Sequence, residues 1–282
     1  MNKRLKGNLF ILLTAFCWSL AGLLIRLVSW NGTLIAGVTC LIAYVMVSIY
    51  RRSFKVKFTK FVVFTAFCSC MTNLTFVYAN QMTTAANAIV LQYVSPLFCL
   101  LYGCLYYRTK PTVKQFLVIM MALSGLVLFF FGKLDQGAML GNLLAILSGV
   151  FFGAVFFLNT LPKANPLDST MISYMFQILL ALPFFVSIPP VSSKAWIAIL
   201  LIGLIQMGLS GITFAIGIRN TDSISANLIG LLETIMSPLW VLLAYGEKPG
   251  TYALFGGSLL LGAVVLNIVL GQREIKKAKM NL

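Results

Sequence analysis

The sequence contains ten long apolar runs separated by short breaks, and each run is long enough to cross a lipid bilayer as a helix. A bilayer core of about 30 Å requires about 20 apolar residues per helix. The sequence is 60% hydrophobic and 10% charged, whereas a soluble domain is about half apolar and a quarter charged. We therefore predict an all-α polytopic membrane protein. The predicted spans cover residues 8–28, 33–50, 58–80, 84–107, 113–132, 139–161, 169–188, 195–217, 223–245 and 251–270.

Basic residues are distributed unevenly between the two sides of this arrangement. If the N-terminus is cytoplasmic, all of the 21 Lys and Arg residues except Arg26, Lys133, Lys194 and Lys248 fall in cytoplasmic segments. Such a bias is typical of the cytoplasmic side of membrane proteins. We predict an integral protein of a bacterial cytoplasmic membrane with both termini in the cytoplasm. The loops account for the net charge of +15, so no nucleic-acid partner is predicted.

The two halves of the chain resemble each other. The tripeptide GNL opens the first span at residues 7–9 and the sixth span at residues 141–143. An offset of 138 pairs Thr83 with Thr221 and Lys110 with Lys248. With five spans per half, the second copy enters the membrane from the opposite side, which is an inverted repeat. The predicted limits are residues 1–137 for the first repeat, 138–270 for the second and 271–282 for a basic cytoplasmic tail.

Four stretches carry a family resemblance: LLTAFCWSLAGLLIRL, YANQMTTAANAIVLQYVSPLF, IRNTDSISANLIGLLETIMSPLW and AYGEKPGTYALFGGSLLLGAVV. They resemble the EamA-type branch of the drug/metabolite transporter superfamily. The resemblance implies ten helices in two inverted five-helix repeats and transport of small organic solutes, often outward. The chain departs from the family pattern at residues 39–41, where an Arg is common, and at Thr234, where a Pro commonly follows the Glu.

Two repeat-related spans each present a partly polar face of small residues. Residues three or four apart lie on one face of a helix. A solute cavity between these two faces is predicted, although Ser95, Cys99 and Gly230 suit close helix packing equally well. The face of the ninth span contains Asn227, Gly230, Glu233, Ser237 and Trp240, and that of the fourth contains Ile89, Gln92, Ser95, Cys99 and Tyr102.

Glu233 is the only acidic residue in the middle of a predicted span. An ionised carboxylate in hydrocarbon costs several kcal/mol, so it must face the bundle interior or water, find a partner, or take up a proton. The chain has no His to form a proton relay. We predict that Glu233 is a proton-coupling or cation site. The alternative is a neutral, hydrogen-bonded Glu with a structural role.

Aromatic side chains well inside the spans complete the predicted site. Tyr93 ranks lower than the others because it is adjacent to Gln92 but does not share the face of Ser95. Aromatic packing between helices is an equally good interpretation of each ring singly. The predicted substrate-binding residues are Trp18, Tyr78, Gln92, Ser95, Asn227, Glu233, Ser237 and Trp240.

The sequence therefore predicts a secondary transporter, an exporter of a small metabolite such as an amino acid, working by alternating access around a central cavity. The alternative is an organic cation or amine transporter with Glu233 as the counter-charge. A membrane-embedded enzyme or a scaffold is less favoured, and no cofactor or metal is predicted. The chain contains no GxxxxGK[ST] nucleotide-binding loop. The predicted partners are a small solute and the bilayer, while monomer and homodimer remain open.

Two further expectations concern packing and charge. Gly256, Gly257 and Gly262 in the last span are suited either to contact with a neighbouring copy or to packing within the bundle. Arg219 and Asp222 flank the connection between the eighth and ninth spans and are expected to form an interfacial ion pair.

Overall fold

The computed structural model describes residues 2–134, 138–246 and 250–280, and over these residues it contains helices and connecting turns but no strand. Nine of its helices are long and apolar enough to cross a membrane, and the fifth span is a shorter apolar helix of 17 residues. This confirms the predicted fold class. The ten spans are Lys3–Ile25, Gly32–Arg51, Lys60–Met82, Ala85–Tyr107, Val113–Phe129, Met139–Thr160, Pro166–Phe185, Ser193–Ile218, Ser223–Ala244 and Thr251–Gly271.

Two of the interruptions within these spans fall at repeat-related positions. The fourth span consists of Ala85–Gln92 and Ser95–Tyr107, and the ninth consists of Ser223–Gly230 and Leu232–Tyr245. Pro96 contributes to the first break, because proline has no N–H to bond the carbonyl four residues earlier. Interrupted helices in corresponding positions of two halves are typical of transporter folds.

Two other spans are also irregular. The first changes direction at Leu20, between helices Lys3–Ser19 and Ala21–Ile25. The eighth contains a π-helix, Ile202–Leu209, whose Met207 carbonyl accepts a hydrogen bond of 2.7 Å from the Tyr174 hydroxyl. The tenth helix continues to Met280, through the segment predicted as a basic tail. The exact limits of the two repeats and the tail stay a prediction.

Helix packing follows the inverted repeat. The first span packs against the eighth, and its counterpart, the sixth, packs against the third. The second packs against the seventh and the fifth against the tenth, so each of these pairs joins equivalent helices from the two halves. The fourth and ninth spans also contact each other. The two five-helix halves are therefore interleaved rather than side by side.

Equivalent hydrogen bonds tie the two halves together at opposite ends of the bundle. The Thr83 hydroxyl donates to Asn142 Oδ1 over 2.8 Å, and the Thr221 hydroxyl donates to Asn8 Oδ1 over 2.6 Å. The two asparagines belong to the repeated GNL tripeptide, and the two threonines are related by the offset of 138. The sequence similarity between the halves thus corresponds to a repeated three-dimensional contact.

The glycines of the same tripeptide permit close approach of the backbones. A Cβ added to Gly7 would lie 2.6 Å from the backbone of Asn220, and one added to Gly141 would lie 2.8 Å from the backbone of Met82. Any larger residue would push these helices apart. The glycines of the tenth span have a similar role inside the bundle, because Gly256 lies against the backbone of Phe129 in the fifth span.

Two ion pairs lie at the end of the bundle that contains the described residues nearest the N-terminus. Arg4 pairs with Asp222 over 2.5 Å, and Arg51 pairs with the fully buried Asp168. Among the described residues Asp222 is therefore paired with Arg4 and not, as expected, with Arg219, because the first helix reaches the start of the ninth span. The Arg4 guanidinium also donates to the Gly271 carbonyl over 3.3 Å, so the start of the first span and the Gly271 end of the tenth lie on the same side.

Candidate functional site

Glu233 lies at the break of the ninth span, in the first turn of helix Leu232–Tyr245. The positive end of a helix dipole stabilises a carboxylate at this position. Glu233 Oε1 accepts a hydrogen bond from the hydroxyl of Tyr93, which lies at the break of the fourth span and is 1% exposed. The two interrupted helices therefore meet through a bond to the mid-span carboxylate.

Tyr93 belongs to an aromatic cluster formed by Trp18, Tyr93, Phe152, Phe156 and Phe214. The Phe152 ring lies 6.0 Å from both Tyr93 and Trp18, and Trp18 lies 6.0 Å from Phe214. Phe156 is 5.0 Å from Phe152 and 5.4 Å from Phe214. The cluster thus brings the first, fourth, sixth and eighth spans together.

Gly230 brings the ninth span against the aromatic cluster, one turn before Glu233. A Cβ added there would lie 3.4 Å from Phe156 and 3.8 Å from Trp18, which is ordinary van der Waals contact. The ninth span thus adjoins the cluster at Gly230, and Glu233 is linked to it through Tyr93. Aromatic faces beside a carboxylate are suited to holding an organic cation.

Ser95 and Asn227 form a second polar contact between the fourth and ninth spans. The Ser95 hydroxyl donates to Asn227 Oδ1 over 3.0 Å, and both side chains are fully buried. In the described part of the chain, Asn227 Nδ2 is buried without a hydrogen-bond partner. A buried donor left unpaired costs about 1–3 kcal/mol.

Gln92 has partners of its own. Its Nε2 donates to the Ser148 hydroxyl over 2.8 Å, and that hydroxyl donates to the Thr72 carbonyl over 2.8 Å. This chain of bonds ties the fourth span to the sixth and the third. Gln92 therefore lies beside the site with its amide engaged in helix packing.

Ser237 and Trp240 lie beyond Glu233 on the ninth span and face the first span. Trp240 Nε1 donates to the Ser19 hydroxyl over 2.8 Å, and Ser237 lies against Gly22. Tyr78 is placed differently, because it is 46% exposed and makes no described contact with the aromatic cluster. The structure thus groups Trp18, Ser95, Asn227 and Glu233 with Tyr93, and places Tyr78 away from them.

Sequence reasoning ranked Tyr93 too low and did not select Phe152, Phe156 or Phe214. The face argument holds for a continuous helix, whereas the fourth span is interrupted between Gln92 and Ser95, at Tyr93. Pro96, three residues later, was the available signal of a break. The phenylalanines carry no such signal, because the chain has 22 of them and most apolar positions suit either lipid or packing.

Comparison with known proteins identifies the family. A sequence profile of the EamA-like transporter family matches residues 5–131 and again residues 139–269. The chain belongs to the EamA-like transporter family. The double match corresponds to the two inverted halves of the bundle. This EamA protein is therefore an integral membrane transporter of the drug/metabolite transporter superfamily. Its environment is the lipid bilayer, and it acts on a solute.

Two further similarities agree with this assignment. An uncharacterized transporter of Archaeoglobus fulgidus is 24% identical over 200 residues, which cover 70% of this chain and 72% of the relative. A solved crystal structure matches 96% of this chain and 99% of its own, with a TM-score of 0.81 and 18% sequence identity. At that identity the structural match establishes the fold alone.

Proposed function

We propose that this EamA protein is a secondary transporter that exports a small metabolite, such as an amino acid or a related compound. Its place is the cytoplasmic membrane of a bacterium, with both termini in the cytoplasm. The observation that carries the proposal is the contact of Tyr93 with Glu233 at the breaks of two repeat-related spans. Transporter sites occur near the midplane at such interrupted helices.

The proposed transport step uses Glu233 as the proton-coupling group. The carboxylate binds either a proton or the solute, while Tyr93 and the unpaired amide of Asn227 donate hydrogen bonds. Ser95 and Asn227 are fully buried, so a solute reaches them only after the fourth and ninth spans separate. Of the predicted contacts, the proposal keeps Trp18, Gln92, Ser95, Asn227, Glu233, Ser237 and Trp240. It leaves out Tyr78, which is 46% exposed and lies away from the aromatic cluster.

Energy for export comes from the proton gradient in this proposal. A proton entering on Glu233 displaces the solute, and the solute displaces the proton on the other side. A carboxyl group that binds a proton and a solute in turn must not favour one of its two charge states strongly. In this proposal the helix N-terminus favours the ionised carboxylate, and the apolar aromatic surroundings favour the protonated one.

Reconstituted liposomes test the transport proposal. Purified protein is expected to exchange a labelled solute across the bilayer without ATP, in a panel of amino acids, amines and nucleobases. The control is Lys55→Gln, which changes an exposed residue remote from the site. If no solute in the panel exchanges faster than in empty liposomes, the proposal of metabolite transport fails.

The aromatic cluster supports a second candidate, an organic cation transporter with Glu233 as the counter-charge. A quaternary ammonium ion donates no hydrogen bond, so it binds only through the carboxylate and the aromatic faces. Stabilisation of the protein by tetraethylammonium but by no amino acid favours this candidate. Stabilisation by amino acids alone favours the first.

A further inference from the structure

A cavity opens at the end of the bundle that carries the Arg4–Asp222 ion pair, lined by residues of the first, fourth, fifth, sixth, ninth and tenth spans. Its volume is about 510 Å³, within the range of about 300–1,000 Å³ common for small-molecule sites. Its lining includes none of the eight predicted substrate-binding residues and no member of the aromatic cluster, and of the two predicted cavity faces it shares Cys99 alone among the described lining. It is therefore a separate candidate binding site.

Positive charge dominates the rim of this cavity. Arg4, Lys110 and Lys114 line it, and Asp222 is the only acidic residue among its described lining. Asp222 is already paired with Arg4. Lys110 and Lys114 are exposed and make no ion pair in the described structure, so their charge is available to a ligand.

The repeat shows that this charge imbalance is specific to one half of the chain. Thr109 precedes Lys110, whereas Glu247 precedes the equivalent Lys248 in the second half. A carboxylate at the position of Thr109 would reduce the net positive charge of the cavity lining. Thr109 has a hydroxyl instead, so no acidic residue precedes Lys110, and the rim gains a hydrogen-bond donor.

The floor of the cavity is apolar. Leu100, Val118 and Phe157 line it and are 8%, 3% and 5% exposed, respectively. Burying apolar atoms of a ligand against them contributes roughly 25 cal/mol per Å². A cationic rim above an apolar floor matches a molecule with an anionic head and an apolar body.

We propose that this cavity binds an amphiphilic anion. Lys110 and Lys114 hold its phosphate or carboxylate head by charge-assisted hydrogen bonds, and Leu100, Val118 and Phe157 contact its apolar body. The anion comes either from an anionic phospholipid of the adjacent leaflet or from a water-soluble amphiphilic acid. The binding does not require transport activity.

Binding of hexyl phosphate to the full chain in a neutral maltoside detergent tests the soluble source. Isothermal titration is expected to show binding by the wild type, with affinity falling about tenfold in Lys110→Gln/Lys114→Gln. Inorganic phosphate lacks the apolar body and is expected to bind more weakly. The matched control is Lys55→Gln/Lys57→Gln, which removes two exposed charges outside the cavity and leaves the affinity unchanged.

Native mass spectrometry from mixed phosphatidylglycerol and phosphatidylcholine micelles tests the lipid source. Preferential retention of phosphatidylglycerol, lost in the Lys110/Lys114 double variant and kept in the control, supports a lipid ligand. Binding of hexyl phosphate with the same loss supports a soluble one. The proposal is overturned if neither molecule binds the wild type. It is also overturned if Lys110→Gln/Lys114→Gln binds with the same affinity as the control Lys55→Gln/Lys57→Gln.

Discussion

The fourth and ninth spans have the same architecture and different chemistry. Each is broken near its middle, at Tyr93 and at the equivalent Leu231, and each second helix starts within the core of the bundle. In the ninth span that helix carries Glu233, and in the fourth the equivalent position is Ser95. The scaffold is thus pseudo-symmetric, while the ionisable group is present once.

This difference separates two requirements of a transporter. In the proposed mechanism, alternating access needs two halves that can exchange roles, and the contacts of Thr83 with Asn142 and of Thr221 with Asn8 occur once in each half. The proposed coupling needs a single group with two occupancy states, because a second carboxylate at Ser95 would repel the first. One Glu on a pseudo-symmetric scaffold is what this mechanism requires.

The largest effect is expected from changing Glu233 itself. In liposomes with an imposed pH gradient, Glu233→Gln should lose nearly all gradient-driven accumulation, because the amide cannot release a proton, and Glu233→Asp should retain part of it. Ser95→Ala should lower the transport rate and keep its dependence on the gradient. Gradient-driven accumulation unchanged in Glu233→Gln would assign Glu233 a structural role.

Small residues next to the two breaks should differ in their tolerance of a methyl group. A Cβ on Gly149 would lie 2.6 Å from the Gln92 carbonyl, so Gly149→Ala should destabilise the protein by about 1–3 kcal/mol. Gly230→Ala meets only ordinary contacts and should change stability by less than about 1 kcal/mol. Thermal or denaturant unfolding in detergent measures both. Equal losses would mean that the fourth span is no more tightly packed at its break than the ninth.

Much of the architecture follows from sequence patterns that have a direct physical cause. Apolar runs of about 20 residues define the spans because a bilayer offers no partner for a broken backbone. Glu233 is recognisable because an acid at mid-span is costly. The GNL tripeptide is recognisable because its Gly and Asn both make repeated contacts, at Gly7 and Asn8 and again in the second half.

The composition of the site is harder to predict for equally physical reasons. Helical faces follow from a period of 3.6 residues only while the helix is continuous, so the break at Tyr93 removed the basis for ranking that residue. Asp222 is close to Arg219 in the sequence, but its partner in the structure is Arg4. Only the packing of the first span decides this pairing, and the sequence pattern does not show that packing. Tyr78 lies well inside a predicted span, as a buried aromatic residue would, and yet its side chain is exposed.

Removing the hydroxyl that donates to Glu233 should lower the stability less than the steric clash introduced by Gly149→Ala. Tyr93→Phe deletes the hydroxyl that contacts Glu233, and such bonds between helices in membranes contribute about 0.6 kcal/mol on average and up to about 1.7. Tyr106→Phe, at a residue that is 58% exposed, serves as the matched control and should be neutral. Unfolding in detergent compares the two. If Tyr93→Phe is as neutral as the control, the bond to Glu233 does not stabilise this state.

The smallest effects are expected at the two ends of the molecule. Thr83→Val and Thr221→Val each remove one hydroxyl donor to an Asn of the repeated tripeptide, so each should destabilise by about 0.6 kcal/mol. The loss at Thr83 should be the larger, because its hydroxyl also accepts a hydrogen bond of 3.2 Å from Asn87 Nδ2. Denaturant unfolding of the two single variants provides the comparison. A loss at one end only would show that the repeat-related contacts are not equivalent in energy.

Proton release on solute binding tests the role of Glu233 most directly. Purified wild-type protein in weakly buffered detergent solution receives a solute identified in the liposome panel, and a pH indicator follows the released protons. Competition between the two ligands predicts release of up to about one proton per protein molecule from the wild type, and none from Glu233→Gln that still binds the solute. Solute binding to the wild type without release, or equal release from Glu233→Gln, would contradict a carboxylate shared between proton and solute.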